Sequence, residues 1–282
     1  MYSVTYKSDS GKEILLGKDG GIVCDVNLGD GLSVDMSITQ GFLQVGESVQ
    51  GQSVGGKTIK IKGVIFESIY ARKQALRDIF TPFSAGYLIF EEKYKIRVHV
   101  KSTPTFSPRK EDGRFTMQLF APMPFFYSIF ERSELVGKVE SRFSFPVNYA
   151  APHLFGETSS KRDLSLNNDG NVPAPYVLEL NSITGSTNPV FSNLNTFEFL
   201  KLNGVLEIGD IVKIYRNEDG ILKADLTRGG EVIDILSWID EASNFYNLNV
   251  GENLVAINDE GGGLGLMARI SFNPAVTAVY ES

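Results

Sequence analysis

Residues 51–58, GQSVGGKT, fit the GxxxxGK[ST] pattern of phosphate-binding loops. In such loops, glycines let backbone N–H groups converge on an anion, and the following helix directs its positive N-terminus at the same point. The chemistry to consider is therefore nucleotide hydrolysis, and it requires a helix directly after Thr58.

The residues after Thr58 predict a strand instead of a helix. Residues 59–65, IKIKGVI, are rich in β-branched side chains and alternate in polarity with a period of two. Asp240, after the apolar residues of ILSWID, could serve as a magnesium ligand, but such a run is common. We therefore predict no nucleotide cofactor and interpret the glycine-rich stretch as a hairpin loop that ends in a strand.

Other catalytic groups are scarce. The two histidines, His99 and His153, have no companions at metal-ligand spacing, and His99 falls on the polar side of an alternating segment. The single cysteine, Cys24, excludes an internal disulfide and a multi-cysteine metal site. Paired glycosidase acids stay open, because their separation is a three-dimensional property. No catalytic residue, cofactor or metal is predicted.

The charge of the chain argues against broad binding to nucleic acid or anionic lipid. The 282 residues include 34 acidic and 27 basic side chains, for a net charge of -7. The basic residues of 93–101 alternate with apolar ones, which predicts a solvated strand face; a nucleic-acid groove is the alternative. The sequence shows no secretory signal and no run of 18 apolar residues, so we expect synthesis in the cytoplasm and no membrane insertion.

The elements that must position any site are mostly short strands. Turn signals separate the alternating segments LSVDMSI, KTIKIKGVIF, YKIRVHV, RFTMQLF, YVLELNSI, DIVKIYR, NLVAIND and ARISFN. This pattern is typical of antiparallel sandwiches and barrels. One helix is predicted from an N-cap at Ser68 to Phe80, with Thr81 and Pro82 ending it and its apolar stripe covering a sheet.

Two domains are expected, 1–130 and 131–282. Residues 146–175, rich in Pro, Asn, Ser and Gly, predict a loop-rich segment. The single tryptophan, Trp238, is a second binding candidate, because a sugar-binding module would expose it as a stacking platform. Its apolar sequence neighbours favour burial in a sandwich core.

The order of these elements resembles the distal tail protein family of long-tailed phages. The N-terminal order is a glycine-rich loop, KTIKIKGVIF, the helix, then GYLIFEE, YKIRVHV and RFTMQLFAPMPFF. The later segments LNNDGNVPAPYVLELNSITG, LEIGDIVKIYR and WIDEASNFYNLNVGENLVAI are similar to the galectin-like C-terminal domain of that family. The implied fold is mainly β: a sandwich or split-barrel ring domain with one helix, then a galectin-like jelly roll.

The resemblance implies a structural protein at the virion tail tip. Members form a ring, typically hexameric, that joins the tail tube to the tip or baseplate hub protein and offers a docking surface for receptor-binding proteins. DNA would pass through the ring without specific binding. The sequence leaves open whether the source is a phage, a prophage or a phage-tail-like bacteriocin.

The resemblance also gives the glycine-rich loop a role. Residues 40–57 are similar to the long hairpin that such proteins extend across a neighbouring subunit. The residues implied in bridging are Gln40, Phe42, Val45, Val49, Gln52 and Lys57. Unpaired strand edges would suit this hairpin to adding onto another chain's sheet, and an ordinary surface loop is the alternative.

Galectin likeness raises the alternative of a carbohydrate-binding adhesin that acts through Trp238. Most of the residues that bind sugar in galectins are absent, since Val190 follows Asn188 and Pro189 and residues 154–187 before them contain no histidine. We therefore expect the C-terminal domain to dock other tail proteins.

Overall fold

The computed structural model describes residues 4–27, 31–109, 111–136, 139–141, 156–158, 163–260 and 265–279. The chain forms two compact units. The first contains Met1–Phe130 and Val276–Ser282, and the second contains Glu131–Ala275. The last residues therefore belong to the first unit, whereas the sequence assigned them to the second domain. That each unit folds on its own remains a prediction.

The first unit contains one α-helix and ten complete strands among its described residues. They are β1 (Val4–Ser8), β2 (Glu13–Leu16), β3 (Ile22–Asn27), β4 (Val34–Thr39), β5 (Ser48–Val54), β6 (Lys57–Ile65), α1 (Ile69–Ile79), β7 (Ala85–Phe90), β8 (Tyr94–Phe106), β9 (Arg114–Ala121) and β10 (Phe126–Ser128). Antiparallel pairing in the order β2-β1-β7-β8-β9-β6-β3 builds one large sheet, and β10 pairs with β8. The strand predicted after Thr58 is present as β6.

Alternation along these strands sends one set of side chains into a common core. In β6, Ile59, Ile61 and Ile65 are buried while Lys60 and Lys62 between them are exposed. Helix α1 packs against β2, β6 and β8. Its residue Leu76 is fully buried, and the following Phe80 stacks on Tyr6 with ring centroids 4.3 Å apart. The predicted apolar stripe of the helix therefore covers the inner face of the sheet.

Ser68 occupies the position before α1 but does not act as the predicted N-cap. Its backbone lies in the left-handed region, with φ at 48°, and its side chain makes no capping hydrogen bond. An N-cap residue needs an extended backbone to turn its hydroxyl toward the first free N–H groups. Ser68 therefore marks correctly where the helix begins, but its side chain does not cap the helix.

The second unit is built from antiparallel sheets. Its strands are β11 (Arg132–Val136), β12 (Val139–Ser141), β13 (Gly156–Thr158), β14 (Asp163–Asn168), β15 (Tyr176–Ser182), β16 (Ser186–Thr187), β17 (Val190–Asn193), β18 (Phe199–Lys201), β19 (Val205–Leu206), β20 (Ile211–Arg216), β21 (Leu222–Arg228), β22 (Glu231–Asp234), β23 (Gly251–Asn258) and β24 (Leu266–Phe272). A last strand, β25 (Ala275–Val276), lies at the division between the units. The two largest sheets have the orders β11-β24-β15-β20-β21-β22 and β14-β23-β17-β18. The expected mainly β fold class is confirmed.

The loop-rich interpretation of residues 146–175 is wrong for part of that segment. Residues 163–168 form β14, which pairs with β23 over six residues. Leu166 is buried and Leu164 packs against the same core, so the strand alternates as a half-buried strand should. Flanking Asn, Ser and Pro residues concealed this short alternation. Residues 146–155, with His153, and 159–162 lie outside the described residues.

Candidate assembly surface

Strands β4 and β5 form a two-stranded sheet of their own, separate from the large sheet. We call residues 34–54 the arm. Its cross-strand pairs include Val34 with Val54, Met36 with Gln52, and Ile38 with Val49. Apart from Ser48, which is half-buried, every residue of the two strands is exposed. The arm therefore has no packing partner among the described residues.

The two faces of the arm differ in polarity. One face carries Val34, Met36, Ile38, Val49 and Val54, with Gln52 as its one polar side chain, and the other carries Asp35, Ser37, Thr39, Ser48 and Ser53. The apolar side chains are between 39% and 52% exposed. An apolar sheet face of this kind is normally found buried against a core.

A register shift keeps the apolar face continuous. Ser37 pairs with Gly51, but the next residue, Ile38, pairs with Val49, so Gln50 is an extra residue on β5. Without this bulge, Val49 would lie opposite Thr39 on the polar face, because a one-residue slip moves a side chain to the other side of a sheet. The irregularity thus adds one more apolar side chain to the exposed face.

The tip of the arm presents three more apolar side chains. Phe42 is 97% exposed, Leu43 88% and Val45 fully. The Gln44 side chain orders this turn: its Oε1 accepts the Gly41 N–H at 2.9 Å and its Nε2 donates to Ser48 Oγ at 2.7 Å. The tip is therefore a turn ordered by side-chain hydrogen bonds, and it exposes its apolar side chains to solvent.

Leu43 adopts an unusual backbone in this turn. Its φ of 64° lies in the left-handed region, which disfavours a bulky side chain. Strained backbone of this kind costs on the order of 1–3 kcal/mol and tends to cluster at functional sites. The arm as a whole is also costly, since an isolated two-stranded hairpin is marginally stable in water. Both features point to a bound state in which the arm is covered.

Five of the six bridging residues predicted from the resemblance lie together on the arm: Gln40, Phe42, Val45, Val49 and Gln52. Lys57 lies apart, at the start of β6 in the large sheet. The prediction did not name Leu43 or the exposed apolar row of β4, Val34, Met36 and Ile38. The alternation of LSVDMSI predicted a strand there, but not that its apolar side would stay uncovered.

Lys57 has a different environment from the rest of the glycine-rich motif. Its Nζ lies 4.2 Å from the centroid of the Phe126 ring, a cation–π contact. Burial lowers the pKa of this amine to about 8. Since β6 begins at Lys57, no helix N-terminus is present to receive phosphate, and the lysine packs against the ring of a core residue.

Lys57→Met is expected to change how the stability of the first unit depends on pH. The folded-state pKa of Lys57 is lowered below its unfolded value of about 10.4, so the unfolded chain binds more protons between roughly pH 8 and pH 10.4. The native protein should therefore gain stability relative to the methionine variant as pH rises through this window. Urea unfolding of both proteins across that window measures the difference. Lys60→Met, at an exposed position on the same strand, is the control, and a difference independent of pH would contradict the prediction.

The basic run on β8 is held by partners within its own unit. Arg97 forms a bidentate ion pair with Asp9, with Nη2 to Oδ2 at 2.8 Å, and this arginine lowers the pKa of the Asp9 carboxyl. Lys95 lies over the ring of Tyr87, and Lys101 donates to Thr58 Oγ1 at 3.0 Å. These contacts favour the solvated strand face over a nucleic-acid groove.

Trp238 is half-buried, less than the core position that its sequence neighbours favoured. It lies in a 3₁₀ turn, Leu236–Trp238, and packs against the core of the second unit. Its ring lies directly against Gly204, where any Cβ would overlap the indole. The nearby Asn188 is also engaged, since its Oδ1 accepts the Gly204 N–H at 2.9 Å. This packing favours a structural role for Trp238 over a sugar platform.

Within the described ranges, no group of three or more His, Cys, Asp or Glu side chains is placed to hold a metal ion. Cys24 is buried in β3, and desolvation raises the pKa of its thiol to about 12. Among the same residues, no helix has the length and apolar composition needed to cross a bilayer.

Comparisons with known proteins agree with this architecture. Residues 169–274 match the family described as siphovirus-type tail component, C-terminal domain. The crystal structure of SPP1 Dit (gp 19.1), titled a paradigm of the hub adsorption apparatus in phages infecting Gram-positive bacteria, is similar with a TM-score of 0.63 and 12% identity, over 98% of this chain and 99% of that chain. Structures of the phage P2 baseplate, in its activated conformation with Ca and with Sr, match over the same shares with TM-scores of 0.50 and identities of 14% and 13%.

The resemblance to distal tail proteins is therefore confirmed, in sequence for the C-terminal segment and in fold for nearly the whole chain. No curated protein matches the sequence.

Proposed function

We propose that this protein is a structural component of a phage tail tip, where copies of the chain form a ring that connects the tail tube to the tip or baseplate. The match of residues 169–274 to a siphovirus-type tail component and the fold shared with the SPP1 hub protein support this role. A hexamer is the expected closed form. The ring acts by assembly, and DNA passes through it without specific binding.

The uncovered arm is the observation that carries the ring proposal. Its amphipathic sheet has an apolar face with no partner in its own chain among the described residues. Fully burying one valine, isoleucine or methionine side chain contributes about 1.5–3 kcal/mol. Covering five such side chains and the tip by another copy would outweigh the cost of ordering the arm. In a heterologous contact, one surface of each copy binds a different surface of the next copy. Repeating such a contact closes into a ring when the rotation between neighbouring copies divides a full turn into equal parts.

Met36→Asp together with Ile38→Asp is expected to abolish assembly. The two carboxylates would be desolvated in the covered state, which costs several kcal/mol per ion, and no partner cation is provided. Light scattering and native mass measurement should show a closed oligomer for the native chain and monomer for the variant, with unchanged circular dichroism. Ser37→Asp together with Thr39→Asp, on the polar face of the same strand, should leave assembly intact.

Two results would contradict the ring proposal. One is a native chain that stays monomeric at the highest soluble concentration and on purified tail tubes. The other is a Met36→Asp, Ile38→Asp variant that assembles as well as the native chain.

The second unit has its own exposed apolar groups, which suit docking of other tail-tip proteins such as receptor-binding proteins. Phe197 is 87% exposed on the connection between β17 and β18, with a left-handed φ of 61°. Its N–H donates to Asn193 O at 2.9 Å, and the Asn193 side chain accepts the Asn195 N–H. This rigid loop therefore holds an aromatic side chain in solvent, as an interface anchor requires.

A further inference from the structure

Asn203 and Gly204 form the one Asn–Gly pair of the chain. Such a pair is chemically labile, because glycine has no side chain to hinder attack by its backbone nitrogen on the preceding amide. The Gly204 nitrogen bonds to Cγ of Asn203, the Cγ–Nδ2 bond breaks, and the proton of the Gly204 N–H leaves with Nδ2 as ammonia. Water then opens the resulting succinimide ring and gives aspartate or isoaspartate.

The packing of the second unit requires this labile pair. Any Cβ at position 204 would overlap the Trp238 indole, so the tryptophan rests against the backbone of a glycine. The side chain of Asn203 is exposed, so water reaches it. The fold therefore places a reactive amide at the surface, directly before the residue on which its tryptophan packs.

Asn188 holds the nucleophile of this reaction. Its Oδ1 accepts the Gly204 N–H at 2.9 Å, and its own N–H donates to Gly204 O at 2.9 Å. Asn188 lies in the left-handed region, with φ at 49°, which asparagine tolerates better than most residues. The two bonds fix the peptide groups on both sides of Gly204. Attack on Cγ requires the nitrogen to give up its bond to Asn188 first.

Asp240 holds the leaving group. Its Oδ2 accepts from Asn203 Nδ2 at 2.9 Å, and its Oδ1 accepts the Ala242 N–H at 2.9 Å. The Asn203 amide, and then the Ala242 N–H, lower the pKa of the Asp240 carboxyl, so this group is ionised at neutral pH. A carboxylate that accepts from the amide nitrogen cannot also give it the proton that departing ammonia needs. The Asn203 N–H is anchored as well, since it donates to Trp238 O at 2.7 Å.

We propose that Asn203 is the deamidation site of the second unit and that Asn188 and Asp240 are positioning residues that suppress the reaction in the folded state. Their hydrogen bonds must open before the ring can close, so the rate follows the population of a locally open state. Conversion to aspartate would set a second carboxylate beside Asp240, and isoaspartate would lengthen the backbone next to Gly204. The inference concerns chemical durability and does not depend on ring formation.

Mass spectrometry of the full chain tests the suppression without any variant. Native protein is incubated folded and in urea at the same pH and temperature, and the peptide that contains Asn203 is then scored for the mass gained when an amide becomes an acid. Isoaspartate is scored by enzymatic methylation. Conversion at Asn203 should be at least about tenfold slower in the folded protein. Equal rates in the two conditions would overturn the inference.

Asn188→Ala and Asp240→Ala test the two positioning residues. Each removes a hydrogen bond to the reacting pair, so each should raise conversion at Asn203 in the folded protein about fivefold, the factor that one such bond contributes to an opening equilibrium. Asn188→Asp retains an acceptor oxygen for the Gly204 N–H and should stay near the native rate. Native rates in both alanine variants would contradict the assigned roles.

Asn181 and Ser182 provide an internal reference for general destabilisation. They lie on β15, and the Ser182 N–H donates to Asp210 O at 2.9 Å, so this pair is exposed to attack when the unit unfolds as a whole. The inference predicts that the ratio of conversion at Asn203 to conversion at Asn181 rises above its native value in both alanine variants. A ratio that stays constant, or falls toward its value in urea, would show global unfolding and overturn the positioning roles.

Discussion

Gly204→Ala is expected to destabilise the second unit by about 2–3 kcal/mol, because the added methyl group would overlap the Trp238 indole. Cε3 and Cζ3 of the ring would be in direct overlap, and Cδ2 would lie 2.8 Å from the new carbon. The ring cannot turn away freely, since it packs against the core of the unit. Hydrogen exchange of peptides from the second unit would measure the loss.

A double-mutant cycle separates this overlap from the backbone effect of alanine. In a Trp238→Ala background the space is vacant, so adding Gly204→Ala should cost less than about 0.5 kcal/mol. The expected coupling between the two positions is therefore about 2 kcal/mol. Equal cost of Gly204→Ala in both backgrounds would show that the indole does not rest against the glycine.

Asn253→Ala is expected to destabilise the second unit by roughly 3–5 kcal/mol, since it removes four hydrogen bonds of a buried side chain, each worth about 1 kcal/mol. Asn253 is 1% exposed. Its Oδ1 accepts the Asn249 N–H at 2.8 Å, and its Nδ2 donates to Asn249 O at 2.8 Å and Gly251 O at 3.0 Å. The Asn193 amide donates to the same Oδ1 at 3.3 Å. The side chain thus replaces the backbone partners that this bend before β23 lacks.

Asn167→Ala is the matched control for this substitution. Asn167 lies on β14 directly opposite Glu252, beside the affected bend, but its side chain is exposed. Its replacement should change the unfolding free energy by less than about 0.5 kcal/mol. Urea unfolding followed by the fluorescence of Trp238 reports on the second unit alone, because the chain has a single tryptophan. Similar midpoints for the two variants would refute the assigned role of Asn253.

The sequence predicted those strands whose alternation is long and regular. KTIKIKGVIF became β6 because its isoleucines all face one core, and YVLELNSI became β15 for the same reason. The short alternation of β14 was not recognised from the sequence. The surrounding Asn, Ser and Pro residues indicate a loop, whereas the buried side chain of Leu166 belongs to a strand. Whether Ser68 could cap α1 depended on its φ, which residue type alone does not fix.

The arm shows a different limit. Residue types predicted the strand in residues 32–38, and the resemblance implied that the following loop bridges subunits. Whether the apolar side of β4 faces a core or solvent depends on contacts absent from the local sequence. The bulge at Gln50 depends on pairing across the arm, so the apolar face could only be recognised once the register was known. The resemblance grouped Lys57 with the arm, but its pairing with Ala121 on β9 places it in the large sheet.

The return of the chain to the first unit has a consequence for biosynthesis. Val279 is buried in the core of the first unit, and Val276 packs against that core, yet 145 residues of the second unit are translated between Phe130 and Val276. A ribosome must therefore deliver the 145 residues of the second unit before the N-terminal core receives Val276 and Val279. Products that terminate before Val276 would lack these side chains, so their first unit would fold with an incomplete core.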